Sequence, residues 1–338
     1  MRNKLAKANL VTTGFLIAIV LSVGFFTVLK QTMSTANSLQ ESLVVEIKQG
    51  ATIRSLVKQL EQHDLVAHPV ILILWTRLNG DAKRLQVGEY EIKPGETLSD
   101  LMTNITSGRV LQHSLKLLEG WSFKEFMQVI KSHKAISHEL NDLNQREILQ
   151  KLGIDYDHPE GLFFPDTYKI HKGMSDIDVL KRAHNIMKQH LNSLWEQREP
   201  GLPFKSAYEA LILASIVEKE SAVKEERTVI AGVFINRLRK KMRLQTDPTV
   251  IYGMGDTYKG DIRFRDLRKD TPYNTYTRSG LPPTPIAMPG LGAIKAVMHP
   301  AKTDYLYFVA YSDDSGRHKF SSTLAEHNKA VDKYQRKK

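Results

Sequence analysis

Two acids stand close together at the end of an apolar run: Glu218 and Glu220 in "ILASIVEKES", residues 212–221. From Ala210 to Val217 the only polar side chain is the small Ser215, so a helix through these positions is buried on every face. On that helix Glu218 falls in line with Leu211, Ala214 and Ser215, while Glu220 points roughly 160° away. A carboxyl group at the edge of an apolar helix loses hydration, which raises its pKa and lets it keep a proton near neutral pH. A general acid acting on a glycosidic oxygen has that requirement. The same spacing also fits a helix that surfaces at 218 with both acids solvated, and spacing alone leaves the two readings open.

Other polar groups occur beside stiff backbone. "RLQTDPTVIYGMG" (243–255) sets Gln245, Thr246, Asp247 and Tyr252 around Pro248, and "YNTYTRSGLPPTPIAMPG" (273–290) sets Asn274, Thr275 and Tyr276 before a proline loop. Planar amides and tyrosine rings on rigid turns suit carbohydrate; Asp247 before Pro248 equally suits a turn or cap. "EGLFFPDTY" (160–168) offers Glu160 and Tyr168, or a packed turn between domains. "RLRKKMR" (237–243) holds five cations in seven residues. It either draws an acidic polymer or complements the dipole of a solvated helix end. The chain has 12 histidines but no H-E-x-x-H or related spacing, so no metal and no cofactor is expected. With Cys 0, disulfides and thiolate chemistry are excluded.

These groups must be positioned by a chain of 338 residues, long enough for two or three domains. Its net charge of +11 points to an acidic partner. The N-terminus narrows the choice. Arg2, Lys4 and Lys7 precede an uncharged stretch, 10–29, which as a helix is ~30 Å long and matches a bilayer core. A cleaved signal peptide usually has a shorter apolar core and a small-residue cleavage site, and "KQTMSTANS" is a poor one. We therefore expect an uncleaved anchor with residues 1–9 cytoplasmic and everything beyond about 31 outside, which argues against nucleic acid.

Residues 31–42 read as a polar tether. A strand–Gly–helix pattern then recurs at Gly50, Gly95 and Gly120, with Thr52, Thr97 and Ser122 at the N-cap positions. Longer helices follow at 176–197, 204–221 and 224–242, with Ser206 as a cap. "YLYFVAYS" (305–312) and "RHKF" (317–320) read as a hairpin before a closing helix at 324–334. The class expected is α+β, with a helical centre.

The "KPGETL" turn and its surroundings, about 43–110, resemble the LysM glycan-binding module, although a small α/β spacer would use the same turns. A wider resemblance rests on six segments in order: "EGLFFPDTY", "LASIVEKE", "VFINRL", "RLQTDPTVIYG", "YNTYTRSGLPPTPI" and "HPAKTDYLYFV". Together they look like the YceG-like (MltG) family of endolytic murein transglycosylases. The resemblance implies an inner-membrane protein with a single anchor (10–29), a LysM-like domain (43–110), a connecting strand–helix unit (111–138) and a catalytic domain (139–338). It implies a peptidoglycan lyase that cuts the MurNAc–GlcNAc β-1,4 bond within nascent strands in the periplasm, leaves 1,6-anhydro ends and works beside wall synthases such as penicillin-binding proteins. Glu218 would be the catalytic acid and base, with Glu220 its rival because Glu220-Ser221 echoes a pair in other lytic transglycosylases. Gln245, Asp247, Tyr252, Asn274, Tyr276, Glu160 and Tyr168 would line the glycan cleft. A non-catalytic glycan-binding scaffold and a water-using muramidase are the alternatives.

Overall fold

The computed structural model describes residues 2–220, 223–313 and 315–336, with side chains from Thr12 onward. Ser221 and the final two lysines of the tail lie outside the described residues. The chain divides into two compact units. One is Met1–His113 with His171–Gly173, and the other is Ser114–Ile170 with Met174–Lys338.

The first unit opens with helix α1, Arg2–Ser34. Its segment Thr12–Ser34 is long and apolar enough to cross a membrane. Helical structure thus continues into the stretch expected to be tether, because Leu29 and Met33, at 1% and 2% exposure, supply further apolar contacts. Strands β1 (Leu43–Ile47) and β2 (Gly88–Ile92) pair antiparallel, Val45 opposite Tyr90. Their alternation places Val45, Ile47, Tyr90 and Ile92 inside. Between them run α2 (Ile53–Glu61) and α3 (Pro69–Leu78), and α4 (Leu98–Ser107) follows. Thr52 and Thr97 accept hydrogen bonds from the amides of Ser55 and Asp100, so these helices begin at the caps expected from sequence.

The second unit begins within β3 (His113–Lys116), which pairs with β5 (Thr167–Ile170). Helix α5 (Phe123–Ser132) is capped by Ser122, and β4 (Ile136–Ser137) and α6 (Gln145–Leu152) precede β5. β6 (Met174–Ser175) pairs with β4 and leads into α7 (Asp176–Glu196) and α8 (Ala207–Glu220). Next come α9 (Arg227–Arg239), α10 (Asp247–Met254), α11 (Phe264–Arg268) and α12 (Leu291–Met298). The hairpin β7 (Tyr307–Ala310) and β8 (His318–Ser321) precedes α13 (Leu324–Tyr334). The observed class is helix-rich α+β with a C-terminal hairpin, as expected.

Helix α8 is the axis of this core. Every residue from Ala210 to Val217 is at most 4% exposed, because α7, α9 and α12 all pack against it. Ser215, the one polar residue there, donates to the Ile212 carbonyl and accepts from the Ile286 amide at 2.9 Å. That bond seats the proline loop on the helix. Gly161 packs against the same loop: a Cβ there would lie 2.5 Å from Pro285 Cβ, and its φ is +79°. Leu115, Leu117, Phe123, Phe126 and Ile130 from the strand–helix unit join the same core.

Gly161→Ala therefore combines left-handed backbone strain with overpacking, and we expect a loss of about 2–4 kcal/mol. Urea unfolding followed by tryptophan fluorescence measures it; a loss within experimental error would show that the proline loop yields freely.

Candidate active site

The buried helix α8 ends by delivering Glu218 to a set of polar partners. Its carboxylate side chain is only 6% exposed and meets Nη2 of Arg227, itself 8% exposed, at 2.7 Å. The other oxygen, Oε2, accepts the Gly290 amide at 2.9 Å. Gly290 is the N-cap of α12, so the carboxylate faces the positive end of a helix dipole. The Gly290 loop is held in place by residues 120–121: the Gly120 amide donates to Met288 and the Met288 amide to Trp121, at 2.9 and 2.7 Å. Glu119 approaches the same Nη2 of Arg227, at 3.8 Å, and lies against Gly290. Burial pushes the Glu218 pKa up; the Gly290 amide and Arg227 oppose the rise, and Glu119 adds to it.

Glu220 leaves the helix in another direction, as the spacing requires, and has a different neighbour. Its carboxylate accepts the Thr246 hydroxyl. Burial raises its pKa too, with Asp247 adding to the effect. Asp247 in turn accepts the Tyr276 hydroxyl at 2.6 Å. Thr275 stitches the two segments together: its carbonyl takes the Gln245 amide at 3.2 Å and its hydroxyl takes the Thr246 amide at 3.1 Å. Gln245 sits at φ +50° with its side chain exposed. The structure thus groups Gln245, Asp247 and Tyr276 on the side of Glu220.

A third acid, Glu160, is more deeply enclosed, at 3% exposure. One oxygen accepts the Phe123 amide at the start of α5, at 2.9 Å, and the other accepts the Tyr252 hydroxyl at 3.0 Å. Tyr252 packs edge-on against Tyr273 with centroids 4.8 Å apart. Burial pushes the Glu160 pKa up to about 7, against the lowering effect of both hydrogen bonds. Gly120, three residues before Phe123, has its Cβ position 3.8 Å from Glu218 Cγ.

Asn274 and Tyr168 are engaged within the protein. Asn274, 1% exposed, donates to the carbonyls of Asp266, Leu267 and Lys269 and accepts the Tyr276 amide. Tyr168, 2% exposed, donates its hydroxyl to the Phe164 carbonyl at 2.7 Å. The basic run is also partly internal. Arg237 is 8% exposed and donates to the carbonyls of Leu306 and Leu244, while Arg239 and Arg243 donate to Gly201 and Tyr276. Arg237 is thereby internal, whereas Arg239, in the last turn of α9, and Arg243 are exposed and each donates one bond to a carbonyl.

Sequence reasoning missed Arg227 and Gly290, the two partners of Glu218. Arg227 was findable: two helices joined by a short turn are antiparallel, so the first residues of the second meet the last residues of the first. The Gly290 amide comes from 72 residues away and carries no local signal. Among the described residues no group of three or more His, Asp or Glu could hold a metal ion.

Comparison with known proteins places this geometry in a family. The family model described as YceG-like family matches residues 45–333. A Bacillus subtilis protein named endolytic murein transglycosylase is 34% identical over 309 residues, covering 86% of this chain and 84% of its own. A Streptococcus pneumoniae protein of the same name is 27% identical over 332 residues, 88% of this chain and 59% of the longer relative. The crystal structure of a yceG-like protein from Listeria monocytogenes aligns over 86% of this chain and 100% of its own, with 30% identity and a TM-score of 0.52.

The protonation of Glu160 is directly measurable. The folded protein holds a proton up to about pH 7 that the unfolded chain, with an ordinary pKa of 4.5, has already released. The contribution of Glu160 to stability is therefore fullest below about 4.5 and falls as pH rises to 7, by up to about 3 kcal/mol. Glu160→Gln keeps both hydrogen-bonding positions and cannot ionise, so its stability should fall less across that window. Parallel curves for the two proteins would mean that Glu160 titrates normally.

Proposed function

The chain belongs to the YceG-like family, and from that premise we propose that it is an endolytic murein transglycosylase, cutting peptidoglycan glycan strands internally with Glu218 as acid and then base. The observation that carries this reading is the Glu218 environment. Desolvation favours the neutral acid, which can protonate the glycosidic oxygen between MurNAc and GlcNAc. Once the proton has moved, the Gly290 amide and Arg227 receive the carboxylate. That carboxylate then takes the proton of the C6 hydroxyl as the hydroxyl oxygen closes on C1, giving a 1,6-anhydro end. The nucleophile is part of the reacting sugar, so one carboxyl group serves where ordinary glycosidases need two.

Gln245, Asp247, Tyr252 and Tyr276 line the strand's path in this reading, with Glu160, Asn274 and Tyr168 holding the surrounding wall. The apolar segment Thr12–Ser34 supports a single anchor in the inner membrane, with the basic N-terminus cytoplasmic and the rest periplasmic. The antiparallel β1–β2 pair enclosing two helices supports a LysM-like role for 43–110, and 139–338 is assigned as the catalytic part. Wall synthases are the partners expected of an enzyme that sets strand length.

A second assignment has one observation in its favour: Thr246 and the Asp247–Tyr276 pair adjoin Glu220, not Glu218. Incubating the full chain with glycan strands separates the cases. Glu218→Gln should lose about 10³-fold in rate, and Glu220→Gln much less. The reverse pattern would move the catalytic role two residues along the helix. Products lighter by one water identify the anhydro ring, whereas reducing ends would make the protein a muramidase, and no cleavage at all a binding scaffold. The rate should also persist to higher pH than a normal carboxyl group permits, then fall as Glu218 loses its proton.

A further inference from the structure

Past the end of α10, beginning two residues beyond Tyr252, the chain forms a basic hollow. Residues 259–269, "KGDIRFRDLRK", carry five cations and two acids and include the short helix α11. Lys259, Arg263, Arg265 and Lys269 line a concave volume of about 460 Å³ together with Asp261 and Asp266. Asp266 receives the Arg263 amide at 3.0 Å, and Arg265 stands 3.8 Å from it. The side chains of Arg263 and Lys269 make no hydrogen bond or ion pair among the described residues, and both are exposed. These cations contrast with the buried, internally bonded Arg237.

The hollow is fixed to the candidate site at two points. Met254 lines it and lies two residues beyond Tyr252 on α10, about 3 Å along the helix axis. Asn274 holds its floor through the carbonyls of Asp266, Leu267 and Lys269, at 2.7–3.3 Å. The burial of Asn274 within this loop therefore has a second consequence: it sets the spacing between the polar cleft and the cations. Phe264, 82% exposed, stands between Arg263 and Arg265 and offers an apolar face beside them.

We propose that this hollow is a subsite for the peptide stems of the glycan, binding stem carboxylates through Arg263, Arg265 and Lys269 and a stem amino group through Asp261. The proposal rests on the transglycosylase reading for the identity of its ligand. Two features favour a peptide over an anionic bilayer, the other partner for cations flanking an exposed aromatic ring. The site is concave, and it mixes two carboxylates with its cations, which suits a ligand carrying both signs of charge. Guanidinium groups pair with carboxylates in bidentate geometry, adding selectivity to the attraction. An extended stem of four residues spans about 13–14 Å.

The test uses the full chain in detergent and two readouts. The first is calorimetric binding of a free stem tetrapeptide, L-Ala–γ-D-Glu–diaminopimelate–D-Ala, to Glu218→Gln protein. The Arg263→Gln/Arg265→Gln change should weaken it roughly tenfold, the scale of one charge-assisted hydrogen bond. Amidating the peptide's carboxylates should do the same. The second is the ratio of cleavage rates on stem-bearing strands to strands stripped of peptide. That ratio should exceed one and fall toward one in the double variant and at high salt. Equal peptide binding by parent and double variant overturns the subsite. So does a variant that loses only its attachment to phosphatidylglycerol vesicles, which would assign the patch to the membrane. Arginine-dependent peptide binding without cleavage of either strand would sustain the subsite and refute the transglycosylase reading.

Discussion

The chemistry at Glu218 follows from the burial of α8 on all sides. A helix enclosed by α7, α9, α10 and α12 over Ala210–Val217 cannot turn a face to water there, so the carboxyl group that follows, Glu218, emerges still within low-dielectric surroundings. An isolated carboxylate there would be very costly, and the structure answers with one guanidinium and one backbone amide. Neither partner abolishes the desolvation, and the pKa remains raised. The acid is thus held between two protonation states, each with a distinct source of stabilisation. A more exposed helix end would give an ordinary carboxylate, and a fully enclosed one without Arg227 would give a permanent acid.

Holding that balance demands a rigid wall, and much of the wall is made from side chains bonded to backbone groups. Ser215 fixes the proline loop through the Ile286 amide, Thr275 joins the 245–246 turn to the 273–276 segment, and Glu160 takes the first amide of α5. Each is a polar group inside an apolar core, and each satisfies a main-chain donor that a loop would otherwise bury unpaired. Loops are the usual place for substrate-binding groups, but here the loops are bound to a core helix at several points. The same residues that look like ligands for sugar in the sequence are in part the fastenings of the cleft.

That dual use explains what the sequence did and did not disclose. Helices α7, α8 and α13, the terminal hairpin and the caps at Thr52, Thr97 and Ser122 were legible because each depends on neighbours within a few positions. The buried run at 210–217 was legible for the same reason. The partners of Glu218 were not, since the Gly290 amide and the 120–121 contact that aims it arise from tertiary closure. Asn274 shows the limit from the other side: its amide looks available to a sugar, yet four backbone groups occupy it. Composition names the residue type, and only the fold decides which polar atoms remain unoccupied.

The excess of positive charge divides along the same line. Arg227, Arg237, Arg239 and Arg243 donate to a carboxylate or to carbonyls, and in Arg237 the guanidinium also lies 5.2 Å from the Tyr307 ring centre. At the buried Arg227 and Arg237 arginine suits the place because its planar fork can meet several acceptors while remaining charged in a dry environment. The cations at 259–269 are on an exposed loop, where the same groups keep their donors turned to solvent. A net charge of +11 is therefore a poor guide to the partner until the internal arginines are set aside. Five of the other cations fall within 259–269, and four of them line the hollow to which Met254 also contributes.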